Sequence, residues 1–364
     1  VAKSDLIMRP ALIASILAVA FAVQAAPAQT TAPAEAAIAD QPNKVRGDEI
    51  TPAQREAVAT GLKWLAEHQN PDGSFGGGTL GHHAGITALA GLAFMQGGNL
   101  PERGEYGERV RKAMEFVLSC CQESGLINSD QGGGPMYGHG FATLFLGEIY
   151  GMTGNEQVKE RLQRAVVLIE KSQNADGGWR YQPVPFDADI SVTICQIMAL
   201  RAARDAGIKV QKEVIDKSIK YVRDCQNPDG GFSYMISRGG SAFPRSAAGV
   251  ASLYYAGVFD GPDLTRGLQY VAQYVPGGKQ AAPGNDAHYY YGHYYAVQAM
   301  FLAGGDYWAK WYPGIRDELI ARQDKTSGAW NSNVSPDYAT AMSLIILQMP
   351  NRYLPVYTGK GPGS

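Results

Sequence analysis

Apolar residues recur along this chain with the helical period, in two alternating styles. In the first they form a single stripe. Val110, Ala113, Met114, Val117, Leu118 and Cys121 fall at steps of three and four, and Val158, Leu162, Ala165, Val166 and Ile169 keep the same step. Such segments predict amphipathic helices with one wet face. In the second style nearly every position is apolar or small, as in 84–95, 141–149, 192–203, 247–255, 294–303 and 339–349. These predict helices buried on most sides.

Glycine turns join the two styles, and the turns repeat. Gln69-Asn70-Pro71-Asp72-Gly73-Ser74-Phe75, Gln173-Asn174-Ala175-Asp176-Gly177-Gly178-Trp179 and Gln226-Asn227-Pro228-Asp229-Gly230-Gly231-Phe232 are near copies. Proline presets one backbone angle of a tight turn and glycine accepts a positive one. Weaker copies begin at Gln122, Gln273 and Gln323, so that successive glutamines are 53, 51, 53, 47 and 50 residues apart. Six hairpins result, each an amphipathic helix followed by an apolar one. The first and last apolar segments are no more polar than the middle ones, whereas an open stack needs polar end caps. The expected fold is therefore all-α, an (α/α)6 toroid of six helical hairpins over residues 51–357, with apolar helices inside and amphipathic helices outside.

Composition narrows the function. Glycine makes up 44 of 364 residues, which fits a chain of many turns. The 32 basic and 34 acidic side chains are interspersed, which argues against a nucleic-acid partner. Four cysteines, Cys120, Cys121, Cys195 and Cys225, show no paired spacing and read as helix-face residues. At the N-terminus, Arg9 precedes an apolar run from Ala11 to Val23, followed by Gln24-Ala25-Ala26-Pro27-Ala28. That run is too short to span a bilayer and is shaped as a secretory signal. Residues 1–26 are thus expected to be a signal peptide, with Met8 rather than Val1 as the start, and 27–50 an Ala/Pro/Thr-rich leader. Residues 358–364 read as a flexible tail. The mature protein is expected to be exported, periplasmic or extracellular, with no transmembrane helix.

Six hairpins carrying a Gln…Gly…Trp motif resemble the terpene cyclase and protein prenyltransferase α/α toroids, squalene-hopene cyclase among them, from Thr51 to Tyr357. The resemblance implies an isoprenoid-like ligand. Asp187-Ala188-Asp189-Ile190 resembles the DxDD motif of class II terpene cyclases, whose middle aspartate protonates an alkene or epoxide. That role would fall to Asp189, with Asp187 beside it and His139 or His293 as a partner; the family's last aspartate is Ile190 here. An alkene is a very weak base, so such an acid must be desolvated and held protonated. His293 also resembles the zinc-binding histidine of the prenyltransferases, but Ser246-Ala247-Ala248 stands where their Asp-x-Cys pair belongs. No metal and no cofactor are expected. The Cys-Gly-Glu-Gln of thioester domains, the GxxxxGK[ST] loop and the GxSxG elbow do not occur.

In such a ring the inner helices run the same way, so their first residues converge on one mouth. Those positions hold His82 and His83, Tyr137 and His139, Asp187 and Asp189, Arg245 and Ser246, His288 to His293, and Asp337 and Tyr338. Helix N-termini there favour an anion or carboxylate, although aspartate at a helix start is also an ordinary cap. The catalytic candidates are Asp189, Asp187 and His139. The ligand-binding candidates are His82, His83, Tyr137, Arg245, His288, His293, Tyr294 and Asp337. Three readings stay open: an enzyme that binds or cyclises an isoprenoid-like molecule, a non-catalytic toroid that binds a small molecule, peptide or glycan, and a polysaccharide lyase or hydrolase using Arg245 with an aspartate.

Overall fold

The computed structural model describes residues 49–77, 80–129, 134–278 and 286–358. The expected signal peptide, the leader up to residue 48 and the tail beyond 358 lie outside the described residues. Among the described residues, twelve helices follow in six hairpins: α1 (Pro52–His68) and α2 (Ala84–Gln96), α3 (Gly107–Ser119) and α4 (Met136–Thr153), α5 (Glu156–Ser172) and α6 (Ile190–Asp205), α7 (Lys212–Asp224) and α8 (Phe243–Ala256), α9 (Pro262–Ala272) and α10 (Asp286–Ala303), α11 (Gly305–Arg322) and α12 (Pro336–Leu347). The even-numbered helices form a closed inner ring in which each packs on the next and α12 packs on α2. The odd-numbered helices lie outside it. Their stripes are the buried faces: Val110, Ala113 and Val117 of α3, and Val158, Leu162, Ala165 and Ile169 of α5, are fully enclosed. This is the all-α toroid that the two apolar patterns predict. No helix among the described residues is long and apolar enough to cross a membrane.

Two inner helices begin earlier than their apolar runs. α4 starts at Met136 rather than Phe141, and α10 at Asp286 rather than Tyr294. Gly138 and Gly140 disfavour helix in Met136-Tyr137-Gly138-His139-Gly140. In the ring, Gly140 is where α4 presses on α6, and a Cβ there would come within 2.7 Å of the Cys195 Cβ. Close packing overrides propensity at this crossing.

The repeated motif is the joint between hairpins. Gln69 Nε2 donates to the Gly73 carbonyl of its own turn at 3.0 Å and to the Arg109 carbonyl of the next outer helix at 2.9 Å. Gln173 bridges Gly177 and Val214, and Gln226 bridges Gly230 and Asp263, at 2.8–3.0 Å. Gln323 does the same from the last hairpin to the first, donating to Gly328 at 2.8 Å and to the Ala57 carbonyl of α1 at 2.9 Å. The turn glycine makes the approach possible. Gly177, at φ +101°, abuts the Lys217 carbonyl so closely that any Cβ would overlap it. Among the described residues Gln122 makes no such bridge, and Gln273 Nε2 donates to the Gln269 carbonyl of its own helix.

A second joint fixes each motif to its inner helix. The backbone N–H of Phe75, Trp179, Phe232 and Trp330 donates to the hydroxyl of Thr87, Thr193, Ser246 and Thr340 respectively, at 2.8–3.0 Å. The buried indoles of Trp179 and Trp330 donate onward to carbonyls of α5 and α11.

Replacing Gln323 with alanine removes its hydrogen bonds to the carbonyls of Ala57 and Gly328 at the closure of the ring. A loss of about 1–3 kcal/mol is expected, whereas Gln273→Ala should cost little. Urea unfolding of the two variants beside wild type measures the difference.

Candidate functional site

The starts of the inner helices enclose a cavity of about 770 Å³. All six contribute: Ile86 and Leu89 from α2, Tyr137 and Phe141 from α4, Ser191 from α6, Pro244 and Arg245 from α8, His288 and Tyr291 from α10, and Tyr338 and Met342 from α12. Loop residues Leu80, Tyr181, Tyr234 and Val334 complete the wall. Aliphatic and aromatic groups predominate. Arg245 is the single lysine or arginine on the wall among the described residues, and no aspartate or glutamate lines it.

Four of the candidate residues line this cavity: His83, Tyr137, Arg245 and His288. His83 also caps α2, its Nδ1 accepting the Gly85 and Ile86 N–H groups at 3.1 and 3.3 Å. That places its ring proton on Nε2. Arg245 donates to the carbonyls of Phe232 and Gly240 at 3.2 and 2.7 Å.

The remaining candidates lie elsewhere. His82 sits on the outer turn, 2.8 Å from Asp72 and 2.6 Å from the Ser74 hydroxyl. Asp337 accepts the Gly76 N–H at 2.8 Å and so ties the last hairpin to the first. His139, expected at the mouth, is fully buried four positions into α4, where its Nδ1 accepts the Ile127 N–H at 3.1 Å. It holds in its repeat the place that Thr87 and Thr193 hold in theirs. His293, twenty residues after Gln273 as Thr193 is after Gln173, is at the corresponding position of α10. It is enclosed by Phe243, Tyr289 and Trp311, not by the cavity wall. Burial pushes the His139 imidazole down to about 4 and that of His293 down to about 3. Tyr294 is buried beneath Phe141, its hydroxyl 3.1 Å from that of Tyr357.

Asp189 is also fully buried, just behind the wall. Its Oδ1 caps α6 by accepting the Ser191 and Val192 N–H groups, both at 2.9 Å, and its Oδ2 accepts the Tyr234 hydroxyl at 3.1 Å. Burial raises its pKa, and the cap bonds, Tyr234 and the Arg180 guanidinium 3.7 Å away oppose that rise. Tyr234 in turn meets the Tyr181 hydroxyl. Asp187 is half exposed and paired with Arg180. The acid position of the Asp187–Ile190 motif thus reaches the cavity only through a tyrosine.

A six-hairpin ring with its cavity among the inner-helix starts is the architecture of a recognised family, and the family model for the prenyltransferase alpha-alpha toroid domain matches residues 46–141 and 141–334. The chain belongs to that family. Among solved structures, this toroid is similar to cellobiose 2-epimerase from Spirochaeta thermophila, with 13% identity over 82% of this chain and 98% of that one and a TM-score of 0.63. It is similar to an α-1,6-mannanase of Salegentibacter in complex with α-1,6-mannotetrose, at 10% identity, 82% and 98% coverage and a TM-score of 0.62. It is also similar to the type II terpene cyclase MstE from Scytonema in complex with geranylgeranyl dihydroxybenzoate, at 14%, 83% and 98%, and 0.57. No curated protein matches the toroid's sequence.

Sequence reasoning missed Tyr181, Tyr234 and Arg180. A signal existed in the repeat: Tyr181 and Tyr234 each stand two residues after the motif aromatic, Trp179 or Phe232. Alternation in the extended stretch turns that position toward the ring. Among the described residues, no three His, Cys, Asp or Glu side chains come together as a metal-binding group.

The unfolded chain protonates His139 near pH 6.5, and the folded chain only near 4. This residue's contribution to stability is therefore present above pH 6.5 and lost as pH falls toward 4. In His139→Thr the contribution is absent, so the gap between wild type and variant shifts against wild type by about 1.4 kcal/mol per pH unit in that window. Denaturant midpoints at a series of pH values measure the slope.

Proposed function

We propose that this toroid binds an apolar or amphipathic, isoprenoid-like molecule in its central cavity, with the polar end of the ligand at the mouth. The observation that carries the reading is the cavity wall. Leu89, Phe141 and Met342 line the deeper space and Ile86 and Val334 the wall nearer the helix starts, while Arg245, His83 and His288 contribute polar groups to the same wall. The volume suits a small-molecule ligand. The terpene cyclase MstE, of like fold, was solved with a geranylgeranyl compound. A glycan hydrolase needs carboxyl groups at the substrate, and those of Asp187, Asp189 and Asp337 are engaged behind or beside the wall.

One arrangement favours a second reading, in which the bound molecule is also protonated. Asp189 occupies the acid position of the cyclase-like motif, its pKa is raised by burial, and Tyr234 connects it to the cavity. The expected export of the chain rests on residues 1–26 and is proposed on the sequence alone.

Equilibrium dialysis with geranylgeraniol tests the binding reading. Saturable binding to wild type is expected, weakened at least about tenfold by Ser191→Phe, which fills the cavity from its wall. Asp189→Asn, which keeps a capping side chain, should bind as wild type does. Displacement by mannotetraose in place of the prenyl alcohol would overturn the reading. Analysis of the recovered alcohol for a cyclised product, present with wild type and absent with Asp189→Asn, decides the second.

A further inference from the structure

The end of the ring opposite the mouth is closed by the chain's own C-terminal segment. After α12, residues 349–358 turn back beneath the inner helices in two short 3-10 turns, Met349–Asn351 and Pro355–Thr358. Asn351 Nδ2 donates to the Gln96 carbonyl at the end of α2 at 2.9 Å, and the Val356 N–H donates to Glu148 Oε1 on α4 at 3.3 Å. The second turn packs on α6 and α10. Arg352 pairs with Glu49, 3.1 Å away, which holds the strap against the start of the described chain. Leu354, Val356 and Tyr357 are buried, so the strap is seated in the ring and not laid across it.

Tyr357 points toward the cavity through two further rings. Its hydroxyl meets that of Tyr294 at 3.1 Å, the Tyr294 ring meets Phe141 edge-on at 6.0 Å, and Phe141 lines the cavity. The wall descends only to Leu89, Phe141 and Met342, five or six residues into their helices, a depth of about 8 Å. Below that level the ring is filled by this aromatic column, whose lowest member belongs to the strap.

We propose that the C-terminal strap sets the depth of the cavity, and that Tyr357, acting through Tyr294 and Phe141, limits the chain length of the molecule that fits. The inference rests on the binding reading above and adds a length limit to it. A shorter side chain at 357 gives Tyr294 room to drop, and the space opens to the end of the ligand. Each further methylene that becomes buried adds about fourfold in affinity.

The test compares geraniol, farnesol and geranylgeraniol by equilibrium dialysis against the full chain. In Tyr357→Leu the affinity for each longer alcohol relative to the next shorter one should rise by about tenfold or more. In Phe141→Trp, which raises the floor, the same ratio should fall. Tyr357→Met keeps a long apolar anchor on the strap and carries the test if Tyr357→Leu does not fold. Wild-type binding with ratios unchanged in both strap variants, while Phe141→Trp alters them, would show that the walls alone set the depth and would overturn this inference. Failure of wild type to bind any of the three alcohols would overturn the binding reading and the length limit with it.

Discussion

A side-chain amide, repeated at four of the six hairpins, joins this ring. A glutamine at the end of an outer helix donates to two carbonyls, one in its own turn and one in the first turns of the next outer helix. A hairpin whose glutamine amide finds its second acceptor on the neighbour has no finished edge. Gln323 removes the last edge by reaching Ala57 of the first hairpin. The bridge also demands that two backbones nearly touch, and a left-handed glycine without a Cβ meets that demand at Gly177 and Gly230. Closure in turn aligns the six inner-helix starts around one space, so the cavity is a consequence of the joint.

The joints are not uniform, and their irregularity has a pattern. Hairpins one, three, four and six carry the double bridge, whereas among the described residues Gln122 and Gln273, in hairpins two and five, do not. The same two hairpins place a histidine, His139 or His293, where the others use Thr87, Thr193, Ser246 or Thr340. In hairpin two the exchange conserves volume. A large aromatic pairs with a small hydroxyl in Phe75/Thr87 and Trp179/Thr193, and the smaller Ile127 pairs with the larger His139. The first three hairpins and the last three thus follow one sequence of joints, twice. A histidine that serves as a core acceptor must stay neutral, which is why burial lowers its pKa so far.

The architecture was legible because a period near fifty residues and a strong contrast between striped and wholly apolar helices do not depend on detail. The cavity was legible only in part. Placing the mouth at the inner-helix starts found His83, Tyr137, Arg245 and His288, since a residue at the very start of an inner helix faces the opening. The same rule misplaced His139 and His293. Their helices begin five and eight residues before the apolar run, so both sit one or two turns down and on faces turned away from the cavity. Tyr181 and Tyr234 come from loops, where no helical period guides the reading. Asp337 is near the mouth, as its position implies, but Gly76 claims its carboxylate for ring closure.

That competition for polar groups explains the character of the cavity. Six helix starts need caps and six turns need joints, and the carboxylates of Asp189 and Asp337 are taken for these purposes. The wall is left to aliphatic and aromatic groups, two histidines, a serine and one guanidinium. Ile190 fits the same logic. It is fully buried, and its N–H donates to the Tyr234 carbonyl at 3.0 Å, which brings the Tyr234 hydroxyl onto Asp189. An aspartate at 190 would add a second buried carboxyl beside the first, at a large desolvation cost. Isoleucine avoids that cost while its backbone seats the tyrosine, so the departure from the cyclase-like motif and the tyrosine between Asp189 and the cavity are parts of one arrangement.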